Sequence, residues 1–215
     1  MAPPEGHVDG MLYSDALDAD DPVFESIDSF TPEAFERFVE SRAEQGDLYH
    51  YELLNGRIVM TPPAGYPHGR IEPLLSSRVH AFVEKKKLGI VMGSSQGFVF
   101  PTDDVVEPDL SFVSKERWSA LPSPVPEGFL HVVPDLLVEI LSPKMASRDR
   151  GEKRGIYERN GVQEYWLVDH RREIATILFA KDGRFGTPVV VERDEKIVSR
   201  VLAGLRIPLL DLLQY

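Results

Sequence analysis

The sequence predicts an α/β (α+β) fold, a mixed β-sheet with helices packed on it. Three observations carry that expectation. Apolar periodicity changes along the chain in the order helix, two strands, helix, three strands, helix, two strands. Asn55-Gly56 stands between the apolar runs 49–54 and 57–60, the strongest short signal for a β-hairpin. The branched run 136–141, bounded by Pro134 and by Ser142-Pro143, reads as a strand covered on both faces.

Taken in order, residues 1–28 are rich in Asp, Pro and Gly and show no sustained apolar period, which predicts a disordered acidic arm ahead of one domain over 29–215. Thr31-Pro32-Glu33 supplies an N-cap and a first-turn proline for a helix that carries Phe35, Phe38 and Val39 on one face. After the hairpin and a Pro/Gly loop over 61–67, Ile71, Leu74, Leu75, Val79, Phe82 and Val83 recur at helical spacing across 68–87. Strands are predicted over 89–100, 105–113 and 134–142, with Pro122, Pro124, Pro126 and Gly128 marking a loop between the last two. A helix over 147–160 ends at Asn160-Gly161, weakened by Gly151 and Gly155. A second hairpin over 162–180, further strands and a short terminal helix close the chain.

A length of 215 residues with 42% hydrophobic content suffices for one packed core. Absence of cysteine excludes disulfides and thiolate zinc sites, and no run is apolar enough for a signal segment or a membrane span, so a cytoplasmic protein without membrane attachment is expected. The net charge of −11 is localised: residues 1–48 hold thirteen acids and two bases, and the remaining 22 acids and 22 bases cancel. Lys144, Arg148, Arg150, Lys153 and Arg154 crowd just after the 136–141 run, a placement that would attract phosphates or form a solvated helix face.

Glu139 is the residue that asks for an explanation. A carboxylate inside a doubly covered strand costs several kcal/mol unless a positive group meets it. Strand alternation puts Glu107, Asp109 and Ser111 on one face of their segment, and Glu139 shares a face with Leu137 and Leu141. If the two strands are neighbours, Asp109 and Glu139 converge on one hard cation, with the backbone carbonyl of Ile140 and water completing a magnesium site and Lys153 holding the attacking water or a phosphate oxygen. Asp149, Lys153 and Tyr157 fall at i, i+4 and i+8, one helix face that can return the lysine to the sheet. The same spacing also suits a plain buried ion pair of Glu139 with Lys153. Glu52 is a candidate third acid or a cross-strand partner; His68, at a helix start, is a candidate phosphate contact or a structural bond. Lys144, Arg148 and Tyr157 complete the candidate substrate-binding set, Tyr157 reading equally as a packed ring with its hydroxyl tied to the site edge, whereas Tyr165 and Trp166 read as core and Asp169 as a turn cap.

Tyr51-Glu52-Leu53 with Asn55-Gly56, His68, Glu107-Pro108-Asp109-Leu110, Pro134-Asp135 through Ser142-Pro143, Lys153, Tyr157 and the run 161–169 together resemble the Uma-two family of restriction endonucleases, over roughly residues 30–210. Through that family the chain resembles the PD-(D/E)xK nuclease superfamily. The resemblance implies a restriction-endonuclease-like core, Mg²⁺ with Mn²⁺ as a substitute, DNA as substrate and a homodimer that cuts both strands, and it maps the two metal carboxylates onto Asp109 and Glu139. The chain departs from the superfamily signature at Leu141, where a lysine is usual; the family pattern matches Lys153 on the following helix instead. Three readings follow: a Mg²⁺-dependent DNA endonuclease, a catalytically inactive nuclease-fold protein acting as an interaction or regulatory module, and a hydrolase of some other phosphodiester.

Overall fold

The computed structural model of the chain describes residues 24–214. In chain order the elements are α1 (Pro32–Glu44), β1 (His50–Leu54), β2 (Arg57–Thr61), α2 (His68–Lys86), β3 (Gly89–Gly93), β4 (Phe98–Val99), β5 (Val105–Val106), β6 (Leu110–Ser114), α3 (Lys115–Ser119) and β7 (Leu136–Ile140). There follow α4 (Ala146–Arg148), a π-helical turn (Asp149–Lys153), α5 (Arg154–Arg159), β8 (Glu164–Asp169), β9 (Ile174–Lys181), β10 (Arg184–Phe185), β11 (Val189–Glu192), β12 (Lys196–Val198), β13 (Arg206–Pro208) and α6 (Leu210–Leu213).

The larger sheet runs β10-β9-β8-β7-β6-β3, with β11 also on β9, and only the β7–β8 pair is parallel. A parallel pair needs a crossover, and the helical passage from α4 to α5 supplies it. Side-chain alternation along β7 sorts its residues between two cores. Leu136, Val138 and Ile140 pack with Ile71, Leu75 and Val79 of α2, whereas Leu137 and Leu141 pack with Ile156 and Tyr157 of α5. β7 is therefore covered on both faces, as its branched apolar residues predict, and Glu139 sits on the α5 side.

The smaller, antiparallel sheet runs β2-β1-β5-β4. Asn55 (φ 52°) and Gly56 (φ 79°) both take left-handed backbone, the pattern that a two-residue hairpin turn requires. The Asn55 N–H donates to Asp104 Oδ1 at 2.7 Å, and Arg159 of α5 reaches the other Asp104 oxygen at 2.7 Å, so the turn is tied to the crossover helix. α1 starts as its sequence predicts, with Thr31 Oγ1 accepting the Ala34 N–H at 3.3 Å and Pro32 in the first turn. Its Phe35 is fully buried against Tyr51, Leu53, Ile58 and Met60.

The mixed sheet with flanking helices matches the expected fold class, with four local differences. The segment 89–100 is two strands, β3 and β4, on different sheets, and 105–113 is likewise β5 and β6. Pro108 marks the second break: without an N–H it cannot continue a ladder, so the chain crosses between sheets through Glu107-Pro108-Asp109. The short helix α3 was not anticipated, and the 147–160 helix contains the π-helical turn. Of the expected arm, residues 1–23 lie outside the described residues, but 24–28 run along the outer edge of β2. There the Phe24 carbonyl accepts from Met60 at 3.0 Å and the Ser26 N–H donates to Ile58 at 2.9 Å. Among the described residues no helix is long and apolar enough to cross a membrane.

Candidate active site

The β6–β7 register, with Leu110 opposite Val138, extends by one residue to set Asp109 opposite Glu139. Asp109 precedes β6 instead of lying within a strand, and its carboxylate stands in for a ladder carbonyl: Oδ2 accepts the Ile140 N–H at 2.6 Å. Its Oδ1 lies 3.0 Å from His68 Nε2 at the start of α2. Glu139 shares the α5 side with Leu137 and Leu141 but meets polar groups there: Oε1 lies 2.5 Å from Lys153 Nζ and accepts the Tyr157 hydroxyl at 2.7 Å. Glu52 of β1 reaches the same ammonium from the smaller sheet, with Oε1 at 2.9 Å, and that oxygen also accepts the Glu107 N–H at 2.9 Å. Two sheets and one helix thus meet at Lys153.

The helix delivers the lysine through the π-helical turn. Asp149, Lys153 and Tyr157 are all buried, on the face that their spacing predicts. A π-turn carries an extra residue and frees carbonyls from the usual ladder. The Asp149 carbonyl accepts the Tyr165 hydroxyl at 3.1 Å, which pins this turn to β8.

These groups line a cleft of about 520 Å³ in which Glu52, Glu72, Glu107, Asp109, Glu139 and Asp149 face only two lysines, Lys144 and Lys153. Burial pushes the Glu139 carboxyl well above its ordinary range; Lys153 pulls it back, but Asp149, Asp109 and Glu52 push it up again. Burial likewise raises Asp149, to about 7. For Lys153, burial alone would favour the neutral amine, yet Glu139, Glu52 and Asp149 outweigh it and hold the ammonium charged. His50 is raised by its 3.3 Å bond to Glu107, and His68 is raised because Asp109 overcomes the opposing effect of burial. The site carries more acid than its own cations neutralise.

Among the described residues no group of three or more histidines and carboxylates is gathered closely enough to hold a metal ion as it stands. The reason is visible in the contacts: the Lys153 ammonium takes the place between Glu52 and Glu139. The donor set nevertheless suits a hard cation. An ionised carboxylate offers about four lone-pair positions. Each Asp109 oxygen uses one of its own, and both bonds to Glu139 fall on Oε1. All donors are oxygens, the preference of magnesium.

Asp109, Glu139, Glu52, Lys153 and His68, each expected from the sequence, come together here, and Ile140 lines the cleft beside them. Lys144 is exposed on the lining. Two candidate substrate contacts sit elsewhere. Arg148 pairs with Glu25 at 3.0 Å and Glu152 at 3.5 Å, outside the lining, because the segment 24–28 brings Glu25 to it. Tyr157 is no substrate contact: it is fully buried outside the lining, a packed ring whose hydroxyl is tied to Glu139. Leu141 is buried among Met145, Ile156 and Tyr157, so this position belongs to the apolar core. Asp149, Glu72 and the His50–Glu107 pair were missed as cleft residues. Alternation along β1 does put His50 on the face of Glu52, a signal that was available.

The model of the family described as "Uma2: Putative restriction endonuclease" matches residues 32–210. A solved structure from Anabaena variabilis ATCC 29413, described as "a putative nuclease belonging to DUF820", shares 18% identity with a TM-score of 0.69, covering 86% of this chain and 97% of that one. That likeness shows a shared fold. No curated protein matches the chain significantly.

Proposed function

The chain belongs to the Uma2 family, and from that premise we propose that it is a Mg²⁺-dependent endonuclease that hydrolyses phosphodiester bonds in DNA. The observation that carries the reading is the convergence of Asp109, Glu139 and Lys153 on one acid-rich cleft, from the residue before β6, from β7 and from the crossover helix between β7 and β8. Asp109, Glu139 and the Ile140 carbonyl would hold the ion, with Glu52 as a further acid. A bound divalent ion there would stabilise charge on the phosphate and lower the pKa of attacking water. The protein's own groups do the rest. His68 and the Ile140 N–H fix the orientation of Asp109. Tyr157 and Lys153 fix Glu139, and the Lys153 ammonium would donate to a phosphate oxygen or a water at the floor. Lys144, at the surface of the cleft, supplies attraction for the phosphate backbone.

A second reading has its own observation. Lys153 already pairs with both Glu52 and Glu139 in the place a cation would take, and Leu141 stands where the superfamily signature has lysine. On this reading the protein keeps the nuclease fold as a catalytically inactive interaction or regulatory module. Calorimetric titration of Mg²⁺ and Mn²⁺ into the wild type and Glu139→Ala, with a DNA cleavage assay alongside, separates the two. The nuclease reading expects saturable heat and cleavage in the wild type and neither in the variant. A wild type that binds no divalent ion leaves only the inactive module.

A further inference from the structure

Hydrolysis at this floor needs a group to take the proton that an attacking water gives up, and most of the residues at hand cannot. Burial opposes the charge on Lys153, but Glu139, Glu52 and Asp149 outweigh it and keep an ammonium that has no lone pair to offer. The bond to Glu107 raises His50, and Asp109, against burial, raises His68, so both rings lean to the charged form. Four of the six acids lining the cleft are already engaged. Asp109 accepts from the Ile140 N–H and meets His68, while Glu139 meets Lys153 and the Tyr157 hydroxyl. Glu52 meets Lys153 and accepts the Glu107 N–H, and the Glu107 carboxylate pairs with His50. The lone pairs left on Asp109 and Glu139 are the ones a divalent ion would take.

Asp149 and Glu72 remain, the two lining carboxylates with neither a hydrogen bond nor an ion pair among the described residues. Their positions differ. Glu72 is half-buried on α2, one turn past His68 and beside Gly93 of the edge strand β3. Asp149 is 3% exposed, on the π-helical turn that also carries Lys153, and its own carbonyl is anchored by the Tyr165 hydroxyl. Leaving a buried carboxylate without a partner is costly, and such groups gather at sites of chemistry. Burial holds the Asp149 carboxyl up to about 7; Lys153 and Arg148 pull against it, and Glu52 and Asp109 push with it. A base poised near neutrality suits proton transfer better than an ordinary carboxylate does. We propose that Asp149 is the general base of this site, its carboxylate accepting the proton of the water that attacks phosphorus. As that proton passes to an Asp149 oxygen, a lone pair of the water forms the new P–O bond and the bond from phosphorus to one sugar oxygen breaks. The departing oxygen takes a proton from solvent, and Asp149 returns its own to solvent. Lys153 stays charged throughout. This inference rests on the nuclease reading and supplies the proton acceptor which that reading leaves unnamed.

The test is single-turnover cleavage of DNA by the full chain and by Asp149→Asn and Asp149→Glu, with Mg²⁺ titrated calorimetrically into the same preparations. Asparagine keeps the shape of the side chain but cannot take up the proton. Asp149→Asn should slow cleavage about 10²- to 10⁴-fold while binding Mg²⁺ as the wild type does, and Asp149→Glu should recover part of the rate. The pH profile separates a base from a merely structural residue. The wild-type rate should level off once the base is ionised, whereas the residual rate of Asp149→Asn should go on rising in proportion to hydroxide. Asp149→Ser repeats the comparison should the amide prevent folding. Three results overturn the proposal: a variant that cuts as fast as the wild type, a variant whose rate levels off at the same pH, or a variant that has lost Mg²⁺ binding, which would make Asp149 a ligand. A wild type that binds Mg²⁺ yet cuts no DNA removes the nuclease reading and this inference with it, whereas equal cleavage by wild type and Asp149→Asn removes this inference alone.

Discussion

Lys153 Nζ and Glu139 Oε1 lie 2.5 Å apart with both side chains almost wholly withdrawn from water, and Glu52 meets the same ammonium at 2.9 Å. Two acids on one base makes the pair asymmetric. Removing Lys153 leaves Glu52, Glu139 and Asp149 buried together without a counter-ion, whereas removing Glu139 leaves the ammonium still held by Glu52.

Lys153→Met should therefore destabilise the protein by about 3–5 kcal/mol at pH 8, the usual range for stranding a buried charge, and by less at pH 5, where the carboxyls take up protons. Glu139→Ala should cost clearly less and remain folded at room temperature. Urea unfolding of both variants at the two pH values checks this; equal losses would show that Glu52 does not hold the lysine.

The pH dependence of stability follows from Asp149. Unfolded, its carboxyl ionises near 3.8; folded, burial keeps it protonated until about pH 7. Between those values the unfolded chain binds fewer protons, so stability falls as pH rises, by up to about 1.4 kcal/mol per pH unit. His68 acts in the same direction: its raised folded pKa contributes stability that is complete below about 6.5 and lost as pH climbs through the folded value. The metal-free protein should be more stable at pH 5 than at pH 8, and Asp149→Asn should flatten the slope. Melting temperatures across pH 4–8 in EDTA, with and without that substitution, decide it.

Leu141→Lys tests whether the superfamily's usual lysine position could serve here. The side chain at 141 packs among Met145, Ile156 and Tyr157 and is 4% exposed. A lysine there must bury an unpaired charge or break the packing, so a loss of several kcal/mol is expected, with no recovery of metal binding or cleavage when it is combined with Lys153→Met. Restored activity in the double variant would show that the amine can enter the site from the strand.

Gly89→Ala should disrupt the edge of the larger sheet. A Cβ at Gly89 would stand 2.1 Å from the Val113 carbonyl oxygen, which is backbone and cannot step aside, and φ of 158° places the residue at the margin of what side chains adopt. β3 pairs with β6 from this residue onward, so its displacement unsettles the strand that follows Asp109. Amide hydrogen exchange should report lost protection in β3 and β6 before the rest of the sheet.

Much of this site could be read from residue order. A carboxylate in a branched run demands a cation, and Lys153 is the basic residue whose helix face returns to the sheet. What the sequence does not carry is which segments become neighbours. Glu52 and His50 belong to a different sheet from Glu139, and nothing near them announces that β1 would meet the crossover helix. The division of 105–113 was half visible: Pro108 marks a break, but Val105-Val106 and residues 110–113 are equally apolar, so local pattern could not tell one interrupted strand from two strands on separate sheets. The π-helical turn left only Gly151 and Gly155 as traces. Arg148 looks like a free surface cation of an amphipathic helix until Glu25 engages it, whereas the burial of Tyr157 follows from the face it shares with Lys153.

The segment beginning at Phe24 shields the outer hydrogen-bonding groups of β2, and its Glu25 pairs with both Arg57 and Arg148. A shorter version starting at α1 would bare an unprotected strand margin beside Arg57 stripped of its acid and Arg148 held by Glu152 alone, and its first symptom should be self-adhesion and indiscriminate capture of polyanions, an artefact easily mistaken for enhanced affinity toward DNA.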